Sequence, residues 1–175
     1  MVRAVFPGTF DPIHNGHIDI ARRAVRLFDE LIIAVYEKPS KSWLLSPPER
    51  LKLVHQTFAN DDRVRVTLFS GLIVNFCRKV EAQVIVRGLR VFSDFELEFR
   101  MALANHRLAP EIDVIALITS EENSFLSGST VKEIASLGGD ISSFVPEYVA
   151  IALKERFKEL GEDGPNMVPM TSLRD

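Results

Sequence analysis

Two histidines three residues apart, His14 and His17, close a segment that opens Gly8-Thr9-Phe10-Asp11-Pro12. Further along stand Pro39-Ser40-Lys41, the run Arg87-Gly88-Leu89-Arg90, and Ser127-Gly128-Ser129-Thr130. Hydroxyls, imidazoles, an amine, guanidinium groups and the N–H groups of a helix start all suit phosphate. Phosphoryl chemistry on such groups is mostly alignment and charge neutralisation. No nucleophile–base pair stands out, so no covalent enzyme intermediate is required. Neither the lysine P-loop nor the G-x-G-x-x-G dinucleotide pattern is present. His14 and His17 could instead ligate zinc, but no third ligand stands at a recognisable spacing. Each group also has a plainer reading. Gly8-Thr9 and Asp11-Pro12 suit a turn, Ser129 and Thr130 suit helix caps, and Arg87 and Arg90 suit a solvated surface. A cap can also serve phosphate, so those two readings coexist.

The elements that must carry these residues follow from hydrophobic patterning. After a first strand near the N-terminus, apolar runs stand at 31–36, 64–69, 82–86 and 114–118. Most are continuous and rich in Val and Ile, as parallel strands covered on both faces are. Helical patterns lie between them. The segment 16–28 carries Ile20, Ala24, Leu27 and Phe28 on one face. Ser46, Pro47 and Glu49 form a start signal for a helix to about Ala59. A short helix is expected over 72–80. In the segment 91–108, Phe92, Phe95, Phe99 and Leu103 form what reads as a core stripe. Asp94, Glu98, Met101 and Asn105 make a second, polar and acidic face that looks at a site or at water. Thr130 and Glu133 form a second capping box, for a helix to Leu137 stopped by Gly138 and Gly139. Pro146 begins a last helix to about Leu160. Five strands alternating with helices predict a doubly wound α/β fold, a parallel sheet with helices on both faces. Ligands bind such sheets beyond the carboxyl ends of the strands, where the residues above would converge. One domain is expected over 1–160, with a mobile tail over 161–175.

Composition narrows the setting. The 175 residues are 46% hydrophobic and 26% charged, enough for a core and against intrinsic disorder. A net charge of −3 gives no general attraction to nucleic acid or to an anionic membrane. No run is long enough to span a bilayer, and the first residues lead into a strand rather than a signal peptide. The lone Cys77 excludes an internal disulfide and reads as a buried small hydrophobe. A cytoplasmic setting is expected.

Gly8-Thr9-Phe10-Asp11 followed by His14-x-Gly16-His17 resembles the signature of the HxGH nucleotidyltransferase superfamily. Pro39-Ser40-Lys41, Phe69-Ser70-Gly71-Leu72, Arg87-Gly88-Leu89-Arg90, Asp94-Phe95-Glu96-x-Glu98 and Ser124-Phe125-Leu126-Ser127-x-Ser129 narrow it. Together they look like the bacterial phosphopantetheine adenylyltransferase family, over roughly residues 3–158. The resemblance implies a Rossmann-like nucleotidyltransferase fold. It also implies reversible transfer of AMP from ATP to 4'-phosphopantetheine, giving dephospho-coenzyme A and pyrophosphate, with Mg²⁺ and a homohexamer. Dephospho-coenzyme A and coenzyme A would be further ligands. An alternative keeps the fold and changes the acceptor, for example to nicotinate mononucleotide. A silent nucleotide-binding protein is a third reading, opposed by the intact Thr9, His17, Lys41 and Arg90.

By the same resemblance, Thr9 and Lys41 hold the acceptor phosphate, with Arg87 beside them. The backbone at Ile73 and the side chain of Asn105 meet the pantetheine arm. His17 stabilises the transition state at the α-phosphate, and Thr9, Lys41 and Arg90 join it in the catalytic group. Gly16 lets ATP approach the backbone, while Thr9, Phe10, His17, Gly88, Leu89, Arg90 and Glu98 also contact ATP. The segment Asn123, Ser124, Phe125, Leu126, Ser127, Gly128 and Ser129 wraps the adenine and the β,γ-phosphates. No protein metal ligand is expected, since Mg²⁺ is commonly held by substrate phosphates and water. Asn123 stands where the family usually has an aromatic residue, and Gly128 replaces a serine. His14 stands where the family often has threonine and the wider superfamily histidine, which suits a supporting group.

Overall fold

A computed structural model describes residues 1–37 and 43–163. The strands are β1 (Arg3–Gly8), β2 (Glu30–Tyr36), β3 (Val64–Phe69), β4 (Val84–Leu89) and β5 (Asp113–Ile118). The helices are α1 (Asn15–Val25), α2 (Pro47–Phe58), α3 (Ile73–Lys79), α4 (Phe92–Leu108), α5 (Gly128–Ser136) and α6 (Glu147–Asp163). All neighbouring strands are parallel, in the order β3-β2-β1-β4-β5. The sheet is therefore doubly wound, with its order reversing between β1 and β4.

Alternation along the central strands builds two cores. Ala4, Phe6, Leu31, Ile33 and Val86 point to a large cluster with residues of α1, α2, α5 and α6. Val5, Ile32, Ala34 and Ile85 point to a smaller one with Val74 and Cys77 of α3. Burial pushes the Cys77 thiol up to about 12, so it is an inert core group.

The seam between β1 and β4 opens early. β1 and β2 stay in register from Arg3/Glu30 to Gly8/Val35. β4 and β5 do so from Val84/Asp113 to Leu89/Ile118. β1 and β4 pair only at Ala4/Val84 and Val5/Ile85. Beyond Val5 the two halves of the sheet diverge, and a crevice forms at the reversal point, where open α/β sheets bind ligands.

Local signals explain most boundaries. Ser46 caps α2 in a reciprocal box with Glu49, whose carboxylate accepts the Ser46 N–H at 2.7 Å, and Pro47 occupies the first turn. α1 ends at Val25, short of Leu27 and Phe28, and the structure differs from expectation more consequentially in three places. β4 continues through Arg87, Gly88 and Leu89, because the β5 ladder carries on beside them. α5 begins at Gly128, not after Thr130. The Ser127 hydroxyl, three residues upstream, accepts the Thr130 N–H at 3.0 Å and takes the cap.

The third correction concerns α4. Its aromatic stripe is not core: Phe92, Phe95, Phe99 and Leu103 are 86%, 49%, 52% and 56% exposed. Periodicity reports an apolar face, but not whether the same chain covers it. The polar face, with Asp94 and Glu98, is the one turned inward. α6 runs to Asp163, and the rest of the expected tail, 164–175, lies outside the described residues.

Candidate active site

The crevice holds a cavity of about 500 Å³, lined at the strand ends by Pro7, Gly8, Tyr36, Phe69, Arg87 and Gly88. Thr9, His14, Gly16, His17, Arg90, Glu98, Ser127 and Gly128 also line it. Residues expected from four separate stretches of sequence thus meet around one space. Lys41 lies outside the described residues.

His17 sits in the first turn of α1, and its ring is tightly held. The Phe10 ring meets it edge-on at 4.9 Å, and the His14 ring stacks on it at 3.7 Å. The His14 backbone N–H donates to His17 Nδ1 at 3.3 Å. An Nδ1 that accepts carries no proton, so the proton of neutral His17 resides on Nε2, the atom left to donate to a ligand. Burial first, then the neighbouring His14, Arg90 and Arg87, holds its pKa well below the usual histidine value. Burial and then Arg90 lower His14 to about 3. Both rings are neutral at physiological pH. Among the described residues His14 Nδ1 is buried with no hydrogen-bond partner.

Phe10 is 1% exposed and adopts a left-handed φ of 51°. Its side chain packs edge-on against the His17 ring, and Phe10 itself does not line the cavity. Gly16 lies under His14: a Cβ there would stand 3.1 Å from His14 Cε1.

The two arginines are held by α4. Arg87 Nε and Nη2 donate to Glu98 at 2.7 and 2.5 Å, and Nη1 donates to the Pro7 carbonyl at 3.1 Å. Arg90 makes the same fork with Asp94 at 2.9 and 3.1 Å and donates to the Leu126 carbonyl at 2.8 Å. Burial alone would raise the Asp94 carboxyl, but the hydrogen bonds and charge of Arg90 outweigh it and hold it low. Asp94 and Glu98 stand one helical turn apart, so a single face of α4 orients both guanidinium groups.

A second cavity of about 280 Å³ adjoins the first, lined by Gly71, Leu72, Ile73, Met101 and Asn105. The two cavities share Pro7, Tyr36, Phe69, Arg87 and Glu98. The Arg87–Glu98 pair is therefore a partition: a nucleotide-sized space of mixed lining on one side, a smaller and more apolar one on the other.

The segment after β5 divides. Ser127 and Gly128 line the larger cavity, and Leu126 is buried. Asn123 is buried, with its amide donating to Ser120 Oγ at 2.8 Å. Asn123 and Phe125 border a separate groove with Phe144. Ser124 bonds back to the Glu121 carbonyl, and Ser129 is exposed. A Cβ on Gly128 would stand 2.8 Å from the Asp11 carbonyl, so glycine lets α5 begin against that loop.

Two interior groups escape motif reasoning. Asp11 is buried and accepts the Leu44 and Leu45 N–H groups at 3.0 and 2.9 Å and Lys132 Nζ at 2.8 Å. Arg50 of α2 is fully buried and donates to backbone carbonyls. The signal for Arg50 was present: it lies in helical phase with Leu53, Val54 and Phe58, on the core face. Among the described residues no group of three or more His, Cys, Asp or Glu side chains could hold a metal. The cavity carboxylates are already paired with Lys132, Arg90 and Arg87.

A doubly wound sheet with neutral histidine, paired arginines and two helix starts around one crevice defines an α/β protein built to bind phosphorylated ligands. The family model described as cytidylyltransferase-like matches residues 5–134. A phosphopantetheine adenylyltransferase of Herpetosiphon aurantiacus is 48% identical over 158 residues, covering 90% of this chain and 96% of that one. Another, of Thermomicrobium roseum, is 50% identical over 161 residues, covering 90% and 96%. The chain belongs to the phosphopantetheine adenylyltransferase family, within the cytidylyltransferase-like group. A solved structure from Vibrio parahaemolyticus, described as a candidate nicotinate-nucleotide adenylyltransferase, shares the fold. Its TM-score is 0.65 at 19% identity, covering 87% of this chain and 99% of that one.

Proposed function

We infer that the protein transfers AMP from ATP to 4'-phosphopantetheine, releasing pyrophosphate and leaving dephospho-coenzyme A. One observation carries the substrate pair: a larger cavity of mixed lining and a smaller, more apolar one meet at Arg87, with His17 and Arg90 in the first. A nucleotide suits the first, and a thin pantetheine arm passing Ile73 and Asn105 suits the second. A phosphate oxygen of the acceptor attacks the α-phosphorus, and the bond to the β-phosphate oxygen breaks. The acceptor is already anionic near neutral pH, its second pKa being about 6, so no strong base is needed.

In this reading Thr9, Lys41 and Arg87 hold the acceptor phosphate. The Nε2 proton of neutral His17 and the guanidinium of Arg90 stabilise charge that builds at the α-phosphate. Gly88, Leu89, Glu98 and the segment 123–129 hold ATP. The cavity carboxylates are committed to ion pairs and offer no cage for a cation. Magnesium, when bound with ATP, would therefore sit on phosphate oxygens and water and supply charge neutralisation. The exposed apolar stripe of α4 supports an interface between copies of the chain, and the family resemblance implies that the assembly is a homohexamer. Among the described residues no helix is long and apolar enough to cross a membrane. That accords with a cytoplasmic enzyme acting on small molecules.

The test is pyrophosphate release from ATP and Mg²⁺ with phosphopantetheine, with nicotinate mononucleotide in parallel. Release with the first acceptor alone, with dephospho-coenzyme A as product, is expected. Release with the second alone overturns the acceptor. His17→Ala should lower kcat by roughly 10²–10³, the usual loss for one transition-state donor, and leave ATP binding within a few-fold. An unchanged kcat would remove His17 from the mechanism.

A further inference from the structure

Arg50 is fully buried, although arginine is rarely so placed unless paired. It donates through Nη1 to the Thr9 carbonyl at 2.6 Å and the Tyr36 carbonyl at 2.9 Å. Through Nε it donates to the Leu45 carbonyl at 3.2 Å. Its guanidinium carbon lies 4.2 Å from the centroid of Trp43, the only tryptophan of the chain. Nη2 is buried and has no hydrogen-bond partner among the described residues.

These contacts gather three segments at one point: the turn after β1, the end of β2 and the stretch that enters α2. Thr9 and Tyr36 both line the cavity, and Tyr36 lines the narrower one as well. Asp11 grips the third segment from the other side through the Leu44 and Leu45 N–H groups. If cohesion were the only requirement, a well-packed apolar side chain of similar volume would serve as well as a buried cation, or better. What the cation adds is geometry, since a rigid fork fixes three carbonyls relative to each other.

We propose that Arg50 is a positioning residue for the acceptor side of the reaction. It sets Tyr36 at the junction of the two cavities and Thr9 in the wall of the first, and does not itself touch either substrate. This rests on the adenylyl-transfer reading. Among the described residues Arg50 makes no hydrogen bond to Arg90, Ser127 or Gly128 on the ATP side, so the two substrates should respond differently to its loss. Lysine keeps the charge but presents one point instead of a fork, so it should not replace arginine.

The test compares wild type with Arg50→Lys and Arg50→Met in steady-state pyrophosphate release, varying each substrate in turn. Trp43 fluorescence reads the local packing. The expected result for Arg50→Lys is at least a tenfold rise in acceptor KM, less than a twofold change in ATP KM, and a shifted Trp43 emission. Unchanged kinetics in a folded variant overturn the proposal. So does an equal rise in both KM values, which marks a merely structural role. Should Arg50→Met fail to fold, Trp43→Leu removes only the ring beneath the guanidinium. It should reproduce the acceptor-selective pattern at about threefold, and no selectivity there counts against the proposal. A wild-type enzyme inactive with phosphopantetheine would defeat the reaction instead. Arg50 is then judged by binding of inorganic phosphate: tenfold weaker in Arg50→Lys supports positioning, and equal affinity overturns it.

Discussion

His14 and His17 are two imidazoles kept neutral by their surroundings, and this has a cost in acid. Each has a folded-state pKa below its unfolded value, so the unfolded chain binds more protons as pH falls below about 6.5. Their contribution is complete above that pH and is lost progressively toward the folded-state pKa, about 3 for His14. Between pH 7 and 5 the linkage for His14 amounts to roughly 2 kcal/mol. Denaturant unfolding at the two pH values should show His14→Gln losing about that much less on acidification than wild type. Equal losses would mean that His14 is not buried neutral.

At the scale of elements, the sequence carried most of the architecture, because strand and helix periods and the Ser46 box are local. It also announced the Thr9, His17, Arg87 and Arg90 cluster, because these residues follow the apolar runs that form β1 and β4. The acidic face of α4 was visible too, and it does look at the site. What was not legible depends on packing between distant segments. No pattern pairs Asp11 with Lys132 across 121 positions. Nor does any pattern distinguish a stripe covered by the chain itself from one left open, which is why Phe92, Phe95, Phe99 and Leu103 read as core. Glycine at 128 read as a lost hydroxyl. It is also a steric requirement of the α5 start against the Asp11 carbonyl. Gly128→Ala should therefore cost about 1–3 kcal/mol, as overpacked sites do. Calorimetry should show a lowered Tm, by about 2–4 °C per kcal/mol in a chain of this size. A Tm at or above wild type would show that α5 shifts freely.

The whole molecule presents an unbalanced surface. Phe95 stacks between Phe92 and Phe99 at 6.2 and 5.8 Å, on a helix in which none of the described side chains is buried. Beside it runs the edge strand β5, ending in Ile118 at 72% exposure. Apolar area of this kind usually marks an interface. The double variant Phe95→Glu/Phe99→Glu should sediment as a smaller species than wild type while remaining folded. Sedimentation identical to an assembled wild type would place the interface elsewhere. Since the other face of α4 holds Arg87 and Arg90, the variant's activity should fall along with its mass.

The β1–β4 seam makes the upper half of the molecule a pair of jaws. One jaw carries Thr9 and His17, the other Arg87 and Arg90. Past Val5 and Ile85 no backbone ladder joins them, and the Arg87 bond to the Pro7 carbonyl is a side-chain tie across the gap. A nucleotide that touches both jaws bridges what the sheet leaves unjoined. Substrate here is thus a missing rung as well as a reactant. By linkage, whatever tightens its grip also hardens the centre of the fold.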